Sequence, residues 1–167
     1  MPSALDVTTP SEREIRVTRT FAAPPGLVFE CHTEPEYVKQ WLLGPPGWSM
    51  PICEIDLRPG GRYRYVWHND DNGHEFGVQG EFREIVAPQR IVNVETMDGV
   101  PGQALITTTF DEAAGGTLFT LTMQFESQAL RDGALESGMT DGMAMSYDRL
   151  DGIAANPAMQ DTPLNAP

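Results

Sequence analysis

The chain has 167 residues, 40% of them apolar, with 24 acidic against 11 basic residues and a formal net charge of −13. That length makes one domain, with or without tails, and buries a core without disulfide staples. The acidity repels phosphate backbones and anionic lipid surfaces, and no apolar run approaches the ~20 residues of a membrane span, so nucleic acid and membrane are excluded as partners.

The first stretch, "MPSALDVTTPSEREIRV", has no basic segment followed by an apolar one, which reads as a cytoplasmic protein rather than a secreted one. Residues 1–11 carry Pro, Ser and Thr without periodicity and read as a flexible tail, and 156–167, with three prolines, as a second. The folded unit is then a single domain over 12–155. Cys31 and Cys53 have no metal-ligand or CxxC spacing and read as two reduced thiols in the interior.

"EIRVTRTF" (14–21) alternates Ile15, Val17 and Arg19 against Arg16, Thr18 and Thr20 and predicts a strand. Two short helices follow. Pro24 and Pro25 suit the start of one, with Val28, Phe29 and His32 at helical spacing. Pro35 starts the other, with Tyr37, Val38 and Trp41 on one side, and "GPPG" (44–47) stops it. The period then becomes 2. "MPICEIDL" (50–57) places Cys53, Ile55 and Leu57 together. After the "RPGG" turn, "RYRYVWH" (62–68) sets Tyr63, Tyr65 and Trp67 against Arg62, Arg64 and His68. Beyond "NDDNG", "HEFGVQGEFREIV" (74–86) puts Phe76, Val78, Gly80 and Phe82 on one side before the apolar phase slips to Ile85, the mark of a bulge. "RIVNVETM", "ALITTTF" and "TLFTLTMQF" complete seven strands joined by short turns, hence an antiparallel sheet. From 129 to 155, Met139, Met143, Tyr147, Leu150 and Ala154 form one stripe of a long helix, with Ser146 beside it, and that helix is the cover available to the sheet's apolar face.

With this order in view, "RTFAAPPGLVFECHTEPEYVKQW" (19–41), "DLRPGGRYRY" (56–65), "GEFREIVAPQRIV" (80–92), "TTTFDEAAGGTLFTL" (107–121) and "SGMTDGMAMSYDRL" (137–150) carry a resemblance. The chain resembles the homologues of the activator of the heat-shock-protein-ninety ATPase. They belong to the START-like (SRPBCC) superfamily, with polyketide cyclases, the birch pollen allergen and lipid-transfer domains. The resemblance implies an α+β helix-grip fold, a curved seven-stranded antiparallel sheet around the C-terminal helix. It also implies a cavity between the two for an apolar or amphipathic molecule. The residues placed to line such a cavity are Tyr63, Tyr65, Trp67, Phe76, Val78 and Phe82 from the sheet, Met139, Met143 and Tyr147 from the long helix, and Trp41 from the short ones.

Chemistry is less marked. Asp56, Arg58, Arg62 and Arg64 read as cross-strand charge pairing around a turn. His68 and His74 bracket "NDDNG" with Asp70 and Asp71, but two ligands on a hairpin tip do not close a metal site, and no metal is assigned. His32 is a candidate acid or base at the cavity rim. GxSxG, P-loop, HExxH and dinucleotide fingerprints are missing, so no cofactor is assigned and the catalytic residues stay unknown.

Three functions follow. The leading one is a module binding a small hydrophobic or aromatic molecule in the cavity. The second is a polyketide cyclase- or hydrolase-like enzyme, which requires an ionisable residue on the cavity wall. The third, implied by the family, is a co-chaperone stimulating a chaperone ATPase. Protein binding through an exposed apolar patch would most simply give a homodimer.

Overall fold

The computed structural model describes residues 4–155; the expected tail at 156–167 lies outside the described residues. Its elements are β1 (Asp6–Thr8), β2 (Glu14–Phe21), α1 (Pro25–Thr33), α2 (Pro35–Trp41), β3 (Trp48–Ile55), β4 (Arg62–Asn69), β5 (Glu75–Val86), β6 (Arg90–Met97), β7 (Ala104–Ala113), β8 (Gly116–Gln124), α3 (Gln128–Glu136) and α4 (Met139–Ala154). The strands form one antiparallel sheet in the order β1-β2-β8-β7-β6-β5-β4-β3. This is the α+β helix-grip arrangement with eight strands instead of seven. The extra strand is β1, in the stretch read as a tail. Its three exposed residues carry no apolar alternation, and backbone pairing of Asp6, Val7 and Thr8 with Thr18, Val17 and Arg16 places them at the sheet's edge.

Local chemistry explains the other boundaries. Pro25 and Pro35 each stand in a first helical turn, where a missing N–H costs nothing. The phase slip in β5 is a register shift between Phe82 and Glu84, so Ile85 returns to the inner face. The single long C-terminal helix is in fact two. Ser127 caps α3 by accepting the Leu130 N–H at 3.1 Å, and Gly138, at φ 84°, takes a left-handed turn that closes α3 and starts α4. At the other edge, β3 contains Pro51 and shifts register between Ser49 and Ile52. Leu57 lies beyond β3 and is exposed instead of joining Cys53 and Ile55.

The filled part of the interior lies around β2, β7, β8, α1 and the second half of α4. Ile15, Val17, Val28, Phe110, Phe119 and Leu150 are all at most 1% exposed. Arg19 lies among them on the inner face of β2. Its Nη1 donates to Asp148 at 2.7 Å, its Nη2 is 3.6 Å from Asp151, and its guanidinium sits 5.4 Å from the Phe21 ring centre. The buried charge thereby clips α4 to the strand. Leu150 and Ala154 of α4 join this core, whereas Met139 and Met143, nearer its start, face open space.

Candidate functional site

Between β4–β8 and the helices α1, α2 and α4 lies a cavity of about 720 Å³. Alternation on β4 aims Tyr63, Tyr65 and Trp67 into it, and the facing positions of β5 contribute Phe76, Val78 and Phe82. The first three turns of α4 contribute Met139, Met143 and Tyr147, and Trp41 closes the end of α2. All ten residues picked out by period and resemblance therefore stand on one wall system. The rings interlock along the sheet, with centroids 5.2 Å apart for Tyr63–Phe82 and for Tyr63–Tyr65, 6.0 Å for Tyr65–Trp67 and 4.9 Å for stacked Trp67–Phe76. Two of the three indoles on the cavity wall, those of Trp41 and Trp67, are anchored at their polar edge. Trp41 Nε1 donates to the Cys31 carbonyl at 2.8 Å, and Trp67 Nε1 to the Leu42 carbonyl at 2.7 Å.

The loop 44–47 is pinned beside the cavity. Ser146 Oγ accepts from Gly44 N–H at 2.9 Å, and Arg149 Nη2 donates to the Gly44 carbonyl at 2.6 Å. The two cysteines are free and buried, and burial pushes the Cys31 thiol up to about 12 and the Cys53 thiol up to about 11.

The cavity also holds groups that sequence reasoning missed. β6 points Ile91, Asn93, Glu95 and Met97 inward. Glu95 Oε1 accepts from the Tyr63 hydroxyl at 2.8 Å, and that hydroxyl accepts from Asn93 Nδ2 at 2.7 Å. The three meet across the intervening strand β5, because Tyr63 of β4 pairs with Gly80 and Gly80 with Glu95 of β6. A Cβ on Gly80 would come 2.5 Å from the Tyr63 ring, so the glycine is the floor over which the phenol reaches the carboxylate. Burial pushes Glu95 up to about 7, the Tyr63 hydrogen bond pulling weakly the other way.

His32 lies deeper than the rim position expected of it. It stacks on Phe119 at 5.1 Å and meets Trp41, Phe110 and Tyr147 at 4.8, 5.1 and 6.0 Å. Its Nδ1 lies 2.7 Å from the Val28 carbonyl, so Nδ1 carries the hydrogen and Nε2 is left as a buried acceptor with no hydrogen-bond partner among the described residues. Burial lowers its pKa to about 4, which keeps the ring neutral.

These two groups oppose each other in pH dependence. Folded Glu95 keeps its proton up to about pH 7, whereas the unfolded chain releases it near 4.5, so this group's contribution to stability falls as pH rises through that window. Unfolded His32 takes up a proton near 6.5 and the folded ring only near 4, so its contribution falls as pH drops through that window. Glu95→Gln keeps an acceptor for Tyr63 and removes one side of the balance. Relative to wild type, its urea midpoint is expected to rise between about pH 5 and about pH 8. A pH-independent offset between the two proteins would contradict the placement of this carboxyl.

Of the remaining polar candidates only His74 reaches the cavity. Arg58 Nε pairs with Asp56 at 2.9 Å, and Arg64 makes a two-pronged contact with Asp98 at 2.9 and 2.8 Å. Arg62, Arg64 and Glu81 border a separate polar groove of about 450 Å³. His68 pairs with Glu75 at 2.9 Å, whereas His74 packs on Trp48 and Phe76 at the cavity. Among the described residues no three His, Cys, Asp or Glu side chains gather as metal ligands, and no helix is long and apolar enough to cross a membrane.

Among curated proteins none matches the chain. Solved structures do. A crystal structure of a protein from Rhodobacter sphaeroides is 27% identical over 91% of this chain and 98% of its own, with a TM-score of 0.86. A protein from Nitrosomonas europaea is 26% identical over 87% of this chain and 96% of its own, with a TM-score of 0.77. CalU16 from Micromonospora echinospora, 23% identical over 94% of this chain and 87% of its own, has a TM-score of 0.60 and shares the fold. Residues 22–155 match the family described as "Activator of Hsp90 ATPase homolog 1-like protein", from the chain after β2 to the end of α4. The curved sheet, the covering C-terminal helix and that match together establish that this chain belongs to the activator of Hsp90 ATPase homolog 1-like family.

Proposed function

We propose that the protein binds a small hydrophobic or aromatic molecule in the cavity between its sheet and α4. The observation that carries this reading is a half-open cavity of about 720 Å³ walled mainly by aromatic, aliphatic and methionine side chains. Protein interiors normally pack without voids of that size, because an unfilled wall forgoes its dispersion contacts. The volume falls in the range of small-molecule pockets, roughly 300–1,000 Å³. The methionines supply a wall that adjusts to the shape of a guest.

Thermal unfolding in the presence of flavonoids, polyketides and fatty acids tests it. A true ligand at a hundredfold excess over its Kd should raise Tm by about 5 °C or more. Met143→Trp, which puts an indole into the space, should remove that shift while leaving a cooperative unfolding transition. A flat response across the panel would count against the reading, as would a shift that survives Met143→Trp.

One observation favours a second reading, acid–base catalysis in the same place. An enzyme of the cyclase or hydrolase type needs an ionisable group on the wall, and Glu95, tuned near neutrality, is such a group. Product formation from any bound compound, lost in Glu95→Gln with that compound still bound, would favour it.

A further inference from the structure

The polar groups of the cavity are not evenly matched in sign. Among the described residues neither Lys nor Arg lines it, and Glu95 is its only carboxylate. The chain Asn93→Tyr63→Glu95 runs in one direction, so the Tyr63 hydrogen is committed to Glu95 Oε1. Only Oε1 is engaged by Tyr63, and the Glu95 side chain lines the cavity, which leaves Oε2 as the oxygen a guest can meet. Asn93 is buried and holds the phenol in place. Once Glu95 is ionised, at and above neutral pH, what the network offers a guest is therefore an acceptor backed by negative charge.

Resting on the cavity reading above, we infer that the site selects a neutral or cationic amphiphile whose O–H or N–H donor meets Glu95 Oε2, and that it rejects ligands bearing a carboxylate, fatty acids included. An anion bound here would lie beside Glu95 with no Lys or Arg among the lining residues to pair with. A protonated amine would instead form a charge-assisted hydrogen bond with the same carboxylate. The other titratable groups around the space are Tyr63 and Tyr65 on β4, His74 ahead of β5, His32 on α1 and Tyr147 on α4. Burial raises the pKa of all three phenols and lowers that of His32, so each of these four is held uncharged at neutral pH. Glu95 thus sets the sign of the site, and binding of an amine should strengthen as pH rises through neutrality.

Fluorescence titration with three matched probes tests this: 1-pyrenemethylamine, 1-pyrenemethanol and 1-pyrenecarboxylate, in about 0.3 M salt to screen the acidic surface. The amine should bind at least about tenfold more tightly than the carboxylate, with the alcohol between them. The amine's affinity should rise between about pH 6 and about pH 8. Glu95→Gln should bring amine and carboxylate within about threefold of each other and leave the alcohol nearly unchanged. Carboxylate binding as tight as the amine's overturns the selectivity alone, as does a preference that persists in Glu95→Gln. Failure of all three probes to bind overturns the cavity reading and this inference together.

Discussion

Gly80→Ala should destabilise the fold by about 3 kcal/mol or more, among the largest effects of any one-carbon change in this chain. The added methyl meets two obstacles at once. One is the Tyr63 ring, 2.5 Å away; the other is the Val94 carbonyl, which is backbone of the neighbouring strand and already placed by the β5–β6 ladder. Moving the ring breaks the Asn93–Tyr63–Glu95 chain, and moving the carbonyl opens the middle of the sheet. Gly152→Ala is the matched control. Gly152 lies within α4 and a Cβ there meets nothing within 4 Å, so the same substitution should stabilise by up to about 1 kcal/mol through helix propensity. Urea unfolding of the two variants measures both. Equal midpoints would mean that the phenol does not cross that glycine.

Trp41→Ala should cost about 3–5 kcal/mol. The side chain is 1% exposed, its ring lies 4.8 Å from His32 and 5.3 Å from Tyr147, and its indole N–H is the partner of the Cys31 carbonyl. Truncation removes that donor from a buried acceptor and loosens the wedge between α1, α2 and α4. Trp67→Ala should cost less, because Trp67 is only half-buried and its loss widens a space that already exists. Thermal denaturation ranks the two. Trp67→Ala as the more damaging change would place the structural keystone on β4 and contradict the division of the interior described above.

How much of this was legible beforehand varies by element. On β4 the alternation is unmistakable, since Tyr63, Tyr65 and Trp67 share one phase and Arg62, Arg64 and His68 the other, and the structure keeps it. The methionine–tyrosine stripe of α4 reads equally well. On β6 the same rule fails. "RIVNVETM" offers Ile91, Asn93, Glu95 and Met97 in one phase and Val92 and Val94 in the other, so apolarity does not choose between faces. What chooses is register: Glu95 stands opposite Gly80, which stands opposite Tyr63, and pairing across three strands is not written in any single one. The acidic residue of the cavity was hidden for that reason. The enclosed position of His32 and the break at Gly138 were hidden too, since both depend on what packs next to them rather than on period. β1 had no apolar code to read, and it is its backbone pairing with β2 that places it.

The two ends of the sheet have a bearing on how copies of this molecule meet. One margin offers three residues, and the other is interrupted by a proline that lacks an amide hydrogen and by a shift that kinks the ribbon. Neither presents the long, straight row of free N–H and C=O groups that templates strand addition, so fibril-like stacking is blocked at both margins in the native state. Light scattering of a concentrated solution should stay flat until the molecule unfolds.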